Sequence, residues 1–279
     1  MSTTELTQTQ RLILDAAIQH TGGRIEHAGS GSLEIRSQNL AGSGGQILSN
    51  GLLDLRSTGL VLDAATTRAA QLAISADTFS HRDGRLVQTG TGAGQLSSTG
   101  LLDNQRGQIA SNGALNLTAG SIDNRGGDIL TSGTQNLTAR LGAHLDNRDR
   151  GRLRAGATLD LGAASVDNSG GELVAGAALG ITLSNALINV DGFVVGHNGV
   201  SVQAGSLDNT RGTLAATLCA ASVQIGTTLD NHAGKIGAHQ QLTVSAASLD
   251  NRAGTLAASS LSIDTGLGRI DNQGGQLVA

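Results

Sequence analysis

A short motif recurs about every 21 residues along this chain of 279 residues, and this repetition constrains the fold more than any other feature. The motif reads Leu/Ile/Val-Asp-Asn-x-x-Gly-x-Leu/Ile, and one degenerate copy has Ile188 in place of the aspartate. The asparagines of the nine copies are Asn104, Asn124, Asn147, Asn168, Asn189, Asn209, Asn231, Asn251 and Asn272. A fixed period of about 20 to 50 residues is typical of solenoids and other repeat folds.

The repeat frame extends beyond the clear copies towards the N-terminus. The positions that correspond to the asparagine are His81, Leu62, Gly42 and His20. From His20 to Asn272 the mean spacing is 252/12, or 21 residues. We therefore predict one continuous domain, in which residues 1–100 form degenerate coils and residues 101–279 form regular repeats.

Each period contains its own pattern of apolar residues. In one copy these are Ile109, then Leu115 and Leu117, then Ile122. Apolar residues two positions apart are typical of strands, and the turns between them contain Gly, Asn and Ser. The sequence thus predicts an all-β fold, a β-solenoid of about 12 coils with three short strands in each coil. The frames of leucine-rich repeats and of calcium-binding nonapeptide rolls are both missing.

Composition indicates how such a coil is stabilised. The chain has 41 glycines and no Pro, Trp or Tyr, and its only aromatic residues are Phe79 and Phe193. Hydrophobic residues still make up 38%, so we expect order and a core of small aliphatic layers. Burying the few aliphatic side chains of one coil releases less free energy than ordering its backbone costs. The coils must therefore stack on one another.

The motif also predicts which side chains point inwards. Strand alternation places the Leu and the Asn of Leu-Asp-Asn on the inner side and the Asp on the outer side. We expect each asparagine amide to donate to the carbonyl of the next copy, so that the nine asparagines form a structural ladder. Asparagine also tolerates the left-handed turn conformation, as does Gly42, which replaces it in an early copy.

The outward aspartates are expected to form a solvated row of charges. A calcium-binding edge is the alternative interpretation. Arginines near the motif offer partners for the aspartates, and these are Arg106, Arg125, Arg148, Arg211 and Arg252. The segment from Arg148 to Arg154 holds four arginines in a copy one residue longer than its neighbours, and we interpret it as a solvated bulge, with a spot for acidic polysaccharide as the alternative.

Charge and cysteine content exclude several classes of function. The formal net charge is −4, and the single lysine, Lys235, accompanies 17 scattered arginines. There is no basic stripe and no aromatic platform for bases, so we predict no nucleic-acid partner. Cys219 is the only cysteine, which excludes an intramolecular disulfide. No signal peptide or membrane-spanning run is visible in the chain.

Tandem copies such as LDNQRGQI at 102–109 and IDNRGGDI at 122–129 resemble the haemagglutinin repeats of filamentous haemagglutinin-like exoproteins. The resemblance is strong from about 101 to 279 and fainter from about 8 to 100. It implies a right-handed parallel β-helix that is secreted or displayed on the surface of a Gram-negative bacterium. It also implies a filament that mediates adhesion or aggregation by binding a receptor or glycan on a host or neighbouring cell. The stalk of a contact-dependent growth inhibition toxin is the alternative.

Parts of that family are missing from this sequence. The family's secretion domain carries Asn-Pro motifs, whereas this chain has no proline, and a toxin module is also absent. The last copy stops at Ala279, after the first strand of a coil, so we expect a fragment of a longer protein. Export by an outer-membrane two-partner secretion transporter would then depend on a region outside this chain.

Parallel β-helices also include polysaccharide lyases and hydrolases, which need clustered carboxylates, long loops and usually aromatic platforms for sugars. Here the coils have nearly constant length and the aspartates are evenly spaced. We therefore predict a structural protein without catalytic residues, cofactor or metal, and a lyase or hydrolase is the less favoured alternative. The seven histidines show no metal-ligand spacing and are expected at the surface or in turns, with His20 and His81 in the asparagine position.

Overall fold

The chain folds into stacked coils of parallel strands. The structure, a computed structural model, describes residues 3–6, 10–14, 18–19 and 23–279, and for residues 3–19 only the backbone. Across these residues there are 33 strands in one continuous sheet and no helix. Each strand pairs in parallel with the strand about 21 residues further along. The predicted all-β solenoid of about 12 coils is therefore confirmed.

Each coil has three faces, which we call A, B and C in chain order. Face A contains β1 (Thr3–Leu6), β4 (Arg24–His27), β8 (Arg85–Gln88), β10 (Gln108–Ser111), β12 (Asp128–Thr131), β15 (Arg152–Ala155), β18 (Glu172–Ala175), β21 (Phe193–Gly196), β24 (Thr213–Ala216), β27 (Lys235–Ala238), β30 (Thr255–Ala257) and β33 (Gln276–Val278). Face B contains β2 (Gln10–Leu14), β13 (Leu137–Leu141), β16 (Leu159–Ala163), β19 (Ala178–Leu183), β22 (Gly199–Ala204), β25 (Ala221–Ile225), β28 (Gln241–Ser245) and β31 (Ser260–Asp264). Face C contains β3 (Ile18–Gln19), β14 (His144–Asp146), β17 (Ser165–Asp167), β20 (Ala186–Ile188), β23 (Ser206–Asp208), β26 (Thr228–Asp230), β29 (Ser248–Asp250) and β32 (Ile270–Asp271).

Five longer strands continue around a corner from one face to the next. They are β5 (Ser32–Ala41), β6 (Gln46–Val61), β7 (Thr66–Ser80), β9 (Gly94–Asp103) and β11 (Leu115–Asp123). Strands β6 and β7 each run through all three faces, and β5, β9 and β11 each run through faces B and C, so in these five coils the predicted three short strands are joined into one or two longer ones. A register shift between Ser49 and Leu52 takes up the bend, and the parallel pairing resumes beyond it.

The core is a column of aliphatic layers inside the coils. Ile109, Leu115, Leu117 and Ile122 are all at most 1% exposed. Each lies in register with an apolar residue of the next coil, as Ile109 does with Ile129. Because every layer is covered by the next, the apolar area that a lone coil would leave in water is buried by its neighbours.

The pairing also continues through the expected boundary between degenerate and regular coils. Strand β9 crosses residue 100 and pairs with β7 on one side and with β11 on the other. The division at residue 100 itself stays a prediction based on the regularity of the sequence.

Candidate functional site

The motif asparagines lie in one inward-facing row at the corner between faces C and A, which we call the asparagine corner, and all of them except the half-buried Asn272 are buried. Each Nδ2 donates to the Oδ1 of the asparagine in the next coil, at 2.6 to 2.8 Å. The members of this row are Asn104, Asn124, Asn147, Asn168, Asn189, Asn209, Asn231, Asn251 and Asn272. The chain of amide hydrogen bonds runs along the long axis of the solenoid.

Each ladder asparagine also closes the turn that it begins. Gly127 N–H donates to the Asn124 carbonyl at 3.0 Å, and the Asn124 Nδ2 donates back to the Gly127 carbonyl at 3.0 Å. The backbone N–H of Asn124 donates to the Asp146 carbonyl in the next coil. Asparagine supplies both a donor and an acceptor on one short side chain, which is why it can serve its own turn and two neighbouring coils.

The left-handed backbone conformation falls on a different residue of the turn from the one expected. The residue two places after the asparagine position has a positive φ, as at Arg106 (φ 55) and Gly126 (φ 63). Asparagine itself and Gly42 do not take this conformation, so that interpretation is wrong. Ala, Asp, Arg and Gly all occupy this left-handed position in different coils. No single residue type therefore indicated the position in the sequence.

In the regular coils, the last glycine of the motif is required for a different reason, the close approach of neighbouring coils. A Cβ added at Gly171 would lie 2.1 Å from the Asn147 carbonyl oxygen, and at Gly127 it would lie 2.2 Å from the Asn104 oxygen. Contacts this short between a side chain and a backbone are not tolerated. This glycine therefore lets successive asparagine corners stack at the spacing of a parallel sheet.

The degenerate coils keep the corner without the asparagine. Gly45 N–H donates to the Gly42 carbonyl, and Ala65 N–H donates to the Leu62 carbonyl, as in the regular turns. His81 extends the ladder by one step, since its Nδ1 lies 2.8 Å from Asn104 Oδ1. His20 lies outside the described residues.

His81 is also the most constrained titratable group in the row. Asn104 Nδ2 donates to Asn124, so its Oδ1 is an acceptor and His81 Nδ1 must carry the proton in this contact. The Nε2 atom is buried without a partner. Burial lowers the pKa of His81, against the opposing effects of the Asn104 hydrogen bond and the Asp63 charge.

His27 contradicts the expectation that the histidines lie at the surface or in turns. It is 1% exposed at the inner side of face A, and neither ring nitrogen has a hydrogen-bond partner. It begins a second internal polar row, at the corner after face A, which the sequence analysis missed. Other buried members of this row are Ser49, Gln88, Ser111 and Thr131.

Side chains of this second row bind the backbone of their own corner. Ser111 Oγ donates to the Gly113 carbonyl at 2.9 Å and lies 3.1 Å from the Gly113 nitrogen, which donates to it. In later coils Ala155 and Ala175 occupy the same position. The available signal was a polar residue two places after the first apolar residue in the early coils, a pattern that only Ala69 interrupts between Ser49 and Gln88.

The motif aspartates cap the turn as well as carrying charge, and one of them, Asp103, is only 3% exposed rather than solvated as expected. Their Oδ1 atoms accept the backbone N–H two residues further on, and this holds for Asp103, Asp123, Asp146, Asp167, Asp208, Asp230, Asp250 and Asp271. Such Asx turns are a usual role of Asp at turns. The row therefore has a structural function that solvated charges alone would not give it.

Arginines link some of these aspartates along the rod. Arg125 lies 2.7 Å from Asp123 and 3.5 Å from Asp146, and Arg148 lies 2.7 Å from Asp146 and 3.6 Å from Asp167. Burial opposes ionisation of Asp146, but hydrogen bonds from Arg148 and the charges of Arg148 and Arg125 outweigh it and lower the pKa. Pairs this exposed stabilise by about 0 to 1 kcal/mol each.

Two of the expected arginine partners bind other aspartates. Arg106 pairs with Asp83 at 2.8 Å, and Arg211 pairs with Asp191 at 2.7 Å. These aspartates occupy the left-handed position of the turn in the preceding coil rather than the motif position. Arg252, in contrast, pairs with the motif residue Asp250 at 2.6 Å.

Within the described residues, no group of three or more His, Cys, Asp or Glu side chains is placed to hold a metal ion. The motif aspartates lie in a row, one in each coil, and do not converge on a cleft. No helix in this part of the chain is long and apolar enough to span a membrane.

The sequence of the chain matches the model of one known protein family. The model of the haemagglutinin repeat family matches residues 27–105, 89–140, 136–190, 182–218 and 215–275. The chain belongs to the haemagglutinin repeat family. The matched segments together span 27–275, so this membership covers the degenerate coils as well as the regular ones. Searches among curated proteins and among solved structures found no match.

Proposed function

We propose that this chain is a structural filament segment of a secreted or surface-displayed bacterial adhesin. The observation that carries the proposal is the unbroken stacking of haemagglutinin repeats, in which the asparagine ladder continues from Asn104 to Asn272. A stack of about 12 coils at the strand spacing of about 4.8 Å extends for roughly 60 Å. Such a rod holds whatever it carries at a distance from the cell that displays it.

The partner proposed for this segment is a receptor or glycan on a host cell or neighbouring cell. Export through an outer-membrane two-partner secretion transporter belongs to the same proposal and would depend on a region outside this chain. The outward residues of each row are evenly spaced, one in each coil, and this supports a partner that contacts several coils at once. An enzyme would instead need carboxylates that converge on a cleft, and the motif aspartates are spaced one coil apart.

Adhesion is tested by coating fluorescent beads with the purified chain and counting beads bound to epithelial cells and to Gram-negative cells. Beads coated with the same chain after heat denaturation are the control. Binding that depends on the folded chain is the expected result. Equal binding by folded and denatured chain, or no binding to either cell type, would overturn the adhesive role.

Catalysis is tested separately by incubating the chain with pectin, heparin and related polysaccharides. The expected result is no increase in reducing or unsaturated chain ends. Sustained release of such ends would replace the structural proposal with that of a β-helix lyase or hydrolase.

A further inference from the structure

One groove on the surface differs from the regular rows around it. It lies between the asparagine corner and face A, and its volume is about 510 Å³. The residues that line it are Gly126, Asp149, Arg150, Arg152, Gly170, Glu172 and Phe193. This volume falls within the range of about 300 to 1,000 Å³ that is usual for small-molecule sites.

Phe193 forms one wall of the groove and is an unusual residue for its position. It is the first residue of β21, in register with Glu172 on one side and Thr213 on the other, and its side chain points outwards. It is 49% exposed, whereas Phe79, the other aromatic residue of the chain, is 1% exposed. Its backbone is fixed, because its N–H donates to the Gly171 carbonyl and its carbonyl accepts from Asn168 Nδ2. The ring is thus presented to solvent from a rigid strand.

The opposite wall is an irregular turn. Between Asn147 and Gly151 there are three residues, where the neighbouring copies have two. Asp149 (φ 56) and Arg150 (φ 66) both take the left-handed conformation, the one such consecutive pair among the described residues. The extra residue moves the Asp149 and Arg150 side chains to the edge of the groove.

The polar groups of the groove are balanced in charge. Its lining holds Asp149, Arg150, Arg152 and Glu172, two positive and two negative groups. Arg152 is bound by Asp128, and Glu172 by Arg154, so the planar groups of these two residues are held in place.

Two further observations decide between an acidic ligand and a neutral one. Three of the four arginines from Arg148 to Arg154 already have carboxylate partners, and no ion pair is formed by Arg150 within the described residues. A groove with two guanidinium groups and two carboxylates, in which only the Arg150 guanidinium is unpaired, does not attract a polyanion. The bulge therefore does not support a site for acidic polysaccharide.

We propose that this groove binds a neutral pyranose unit of a cell-surface glycan, with one face of the sugar ring against Phe193. The C–H face of a pyranose is apolar and matches the face of an aromatic ring, while its hydroxyls both donate and accept hydrogen bonds. Guanidinium groups of Arg150 and Arg152 are donors, and the carboxylates of Asp149 and Glu172 are acceptors. The proposal gives the adhesive segment a specific contact point, and it rests on the proposed function only for its biological use.

The two phenylalanines make a direct experiment possible. Selective ¹³C labelling of phenylalanine gives ring signals from Phe193 and from the buried Phe79, which serves as an internal reference. The intact chain is titrated with cellotetraose, maltotetraose, mannotetraose and lacto-N-neotetraose, and separately with heparin. We expect one neutral oligosaccharide to shift the Phe193 signals in a saturable way and to leave those of Phe79 unchanged.

Two variants complete the test, with saturation transfer to the sugar protons as the measurement. Phe193→Leu keeps an apolar side chain without a ring face and should abolish the transfer. Leu218→Thr removes another exposed apolar residue from a turn outside the groove and should leave the transfer unchanged.

Three results would overturn the proposal: no shift with any neutral sugar, a shift with heparin alone that salt removes, or equal transfer in Phe193→Leu and the unaltered chain. A silent Phe193 signal together with folded-chain-dependent bead adhesion would reject this site and leave the proposed function standing.

Discussion

The asparagine amides of the asparagine corner are buried without leaving an amide group unpaired. Each coil supplies the hydrogen-bond partner that the asparagine of the neighbouring coil needs. Asn168 accepts from Asn147 Nδ2 at 2.7 Å and donates to Asn189 Oδ1 at 2.8 Å. A buried polar atom that loses its partner costs about 1 to 3 kcal/mol. Substitutions in the ladder should therefore be felt in the coils on both sides.

Replacing Asn168 with Leu should lower the thermal midpoint and reduce the free energy of unfolding by about 3 kcal/mol or more. The change leaves Asn147 Nδ2 and Asn189 Oδ1 each without its ladder partner. Replacing the adjacent Asp167 with Asn should change the free energy of unfolding by less than about 0.5 kcal/mol. The new amide oxygen can still accept the Ser169 N–H, as the Asp167 Oδ1 does. Thermal melts followed by circular dichroism measure both, and equal effects would mean that the two side chains face the opposite way.

A second residue-scale prediction concerns His81 and pH. Burial lowers the pKa of His81 in the folded chain below the ordinary value of 6.5, which holds in the unfolded chain. At a pH between the folded and the unfolded pKa, the unfolded chain therefore binds a proton that the folded chain does not. The stability that neutral His81 contributes is present above about pH 6.5 and is lost as the pH falls. The variant His81→Asn has no ring to protonate and offers a donor to Asn104.

Urea unfolding at pH 8 and at pH 5 measures this effect. His81→Asn should lose less stability than the unaltered chain between the two values. The assignment fails if the His81 variant keeps the full loss at pH 5.

The sequence predicted the ladder residues because one residue type recurs there at a constant period. The left-handed position was not predictable in this way, since Arg106, Asp149, Ala253 and Gly126 all satisfy it and share no side-chain chemistry. Burial of His27 was missed because its row is polar only in the early coils. Strand alternation predicts that Phe193 faces outwards, but the groove beside it depends on the irregular turn at Asp149 and Arg150, whose conformation the repeat pattern does not give.

At the scale of the element, the asparagine turn contains two neighbouring positions with different requirements. Gly170 (φ 65) has open space around the position of a Cβ, whereas at Gly171 a Cβ would meet the Asn147 carbonyl oxygen at 2.1 Å. The first position is limited by its own backbone conformation, and the second by the neighbouring coil.

Alanine substitution separates these two requirements. Gly170→Ala should cost about 1 kcal/mol, the usual penalty for a side chain in the left-handed region. Gly171→Ala should cost clearly more, because the two coils must move apart to admit the methyl group. Urea unfolding gives both values, and the account of coil spacing is wrong if Gly170→Ala is the more damaging change.

Strand prediction was successful where apolar residues alternate, but it placed breaks at the corners through which β5, β6, β7, β9 and β11 continue. The failure has a physical reason, because a bulge lets hydrogen bonding continue around a bend that sequence pattern presents as a break. The apolar residues on either side of the bend, such as Ile47 and Leu53, are buried in the core.

For the whole molecule, stability should depend on complete coils rather than on particular residues. Deleting residues 169–189 removes 21 residues and joins Asn168 to Val190, which keeps the Asn-x-x-Gly turn. This variant should retain a β-type circular dichroism spectrum and a cooperative thermal transition, because like faces still stack.

Deleting residues 169–179 is the matched control. Removal of 11 residues places a strand of face B where face A should continue, so every later apolar row is out of register. We expect this shorter deletion to aggregate or to melt without cooperativity. Equal behaviour of the two deletions would contradict a repeat of 21 residues as the unit of folding.

Cysteine cross-linking tests the stacking of coils most directly. In a chain with Cys219→Ser, the pair Thr213→Cys and Lys235→Cys lies in register on adjacent strands, about 4.8 Å apart, which is within disulfide range. The pair Thr213→Cys and Thr255→Cys lies two coils apart, at about 10 Å, which is too far. After mild oxidation, mass spectrometry should find an intramolecular disulfide in the first pair and free thiols in the second. A disulfide in the second pair, or none in the first, would contradict the stacked solenoid.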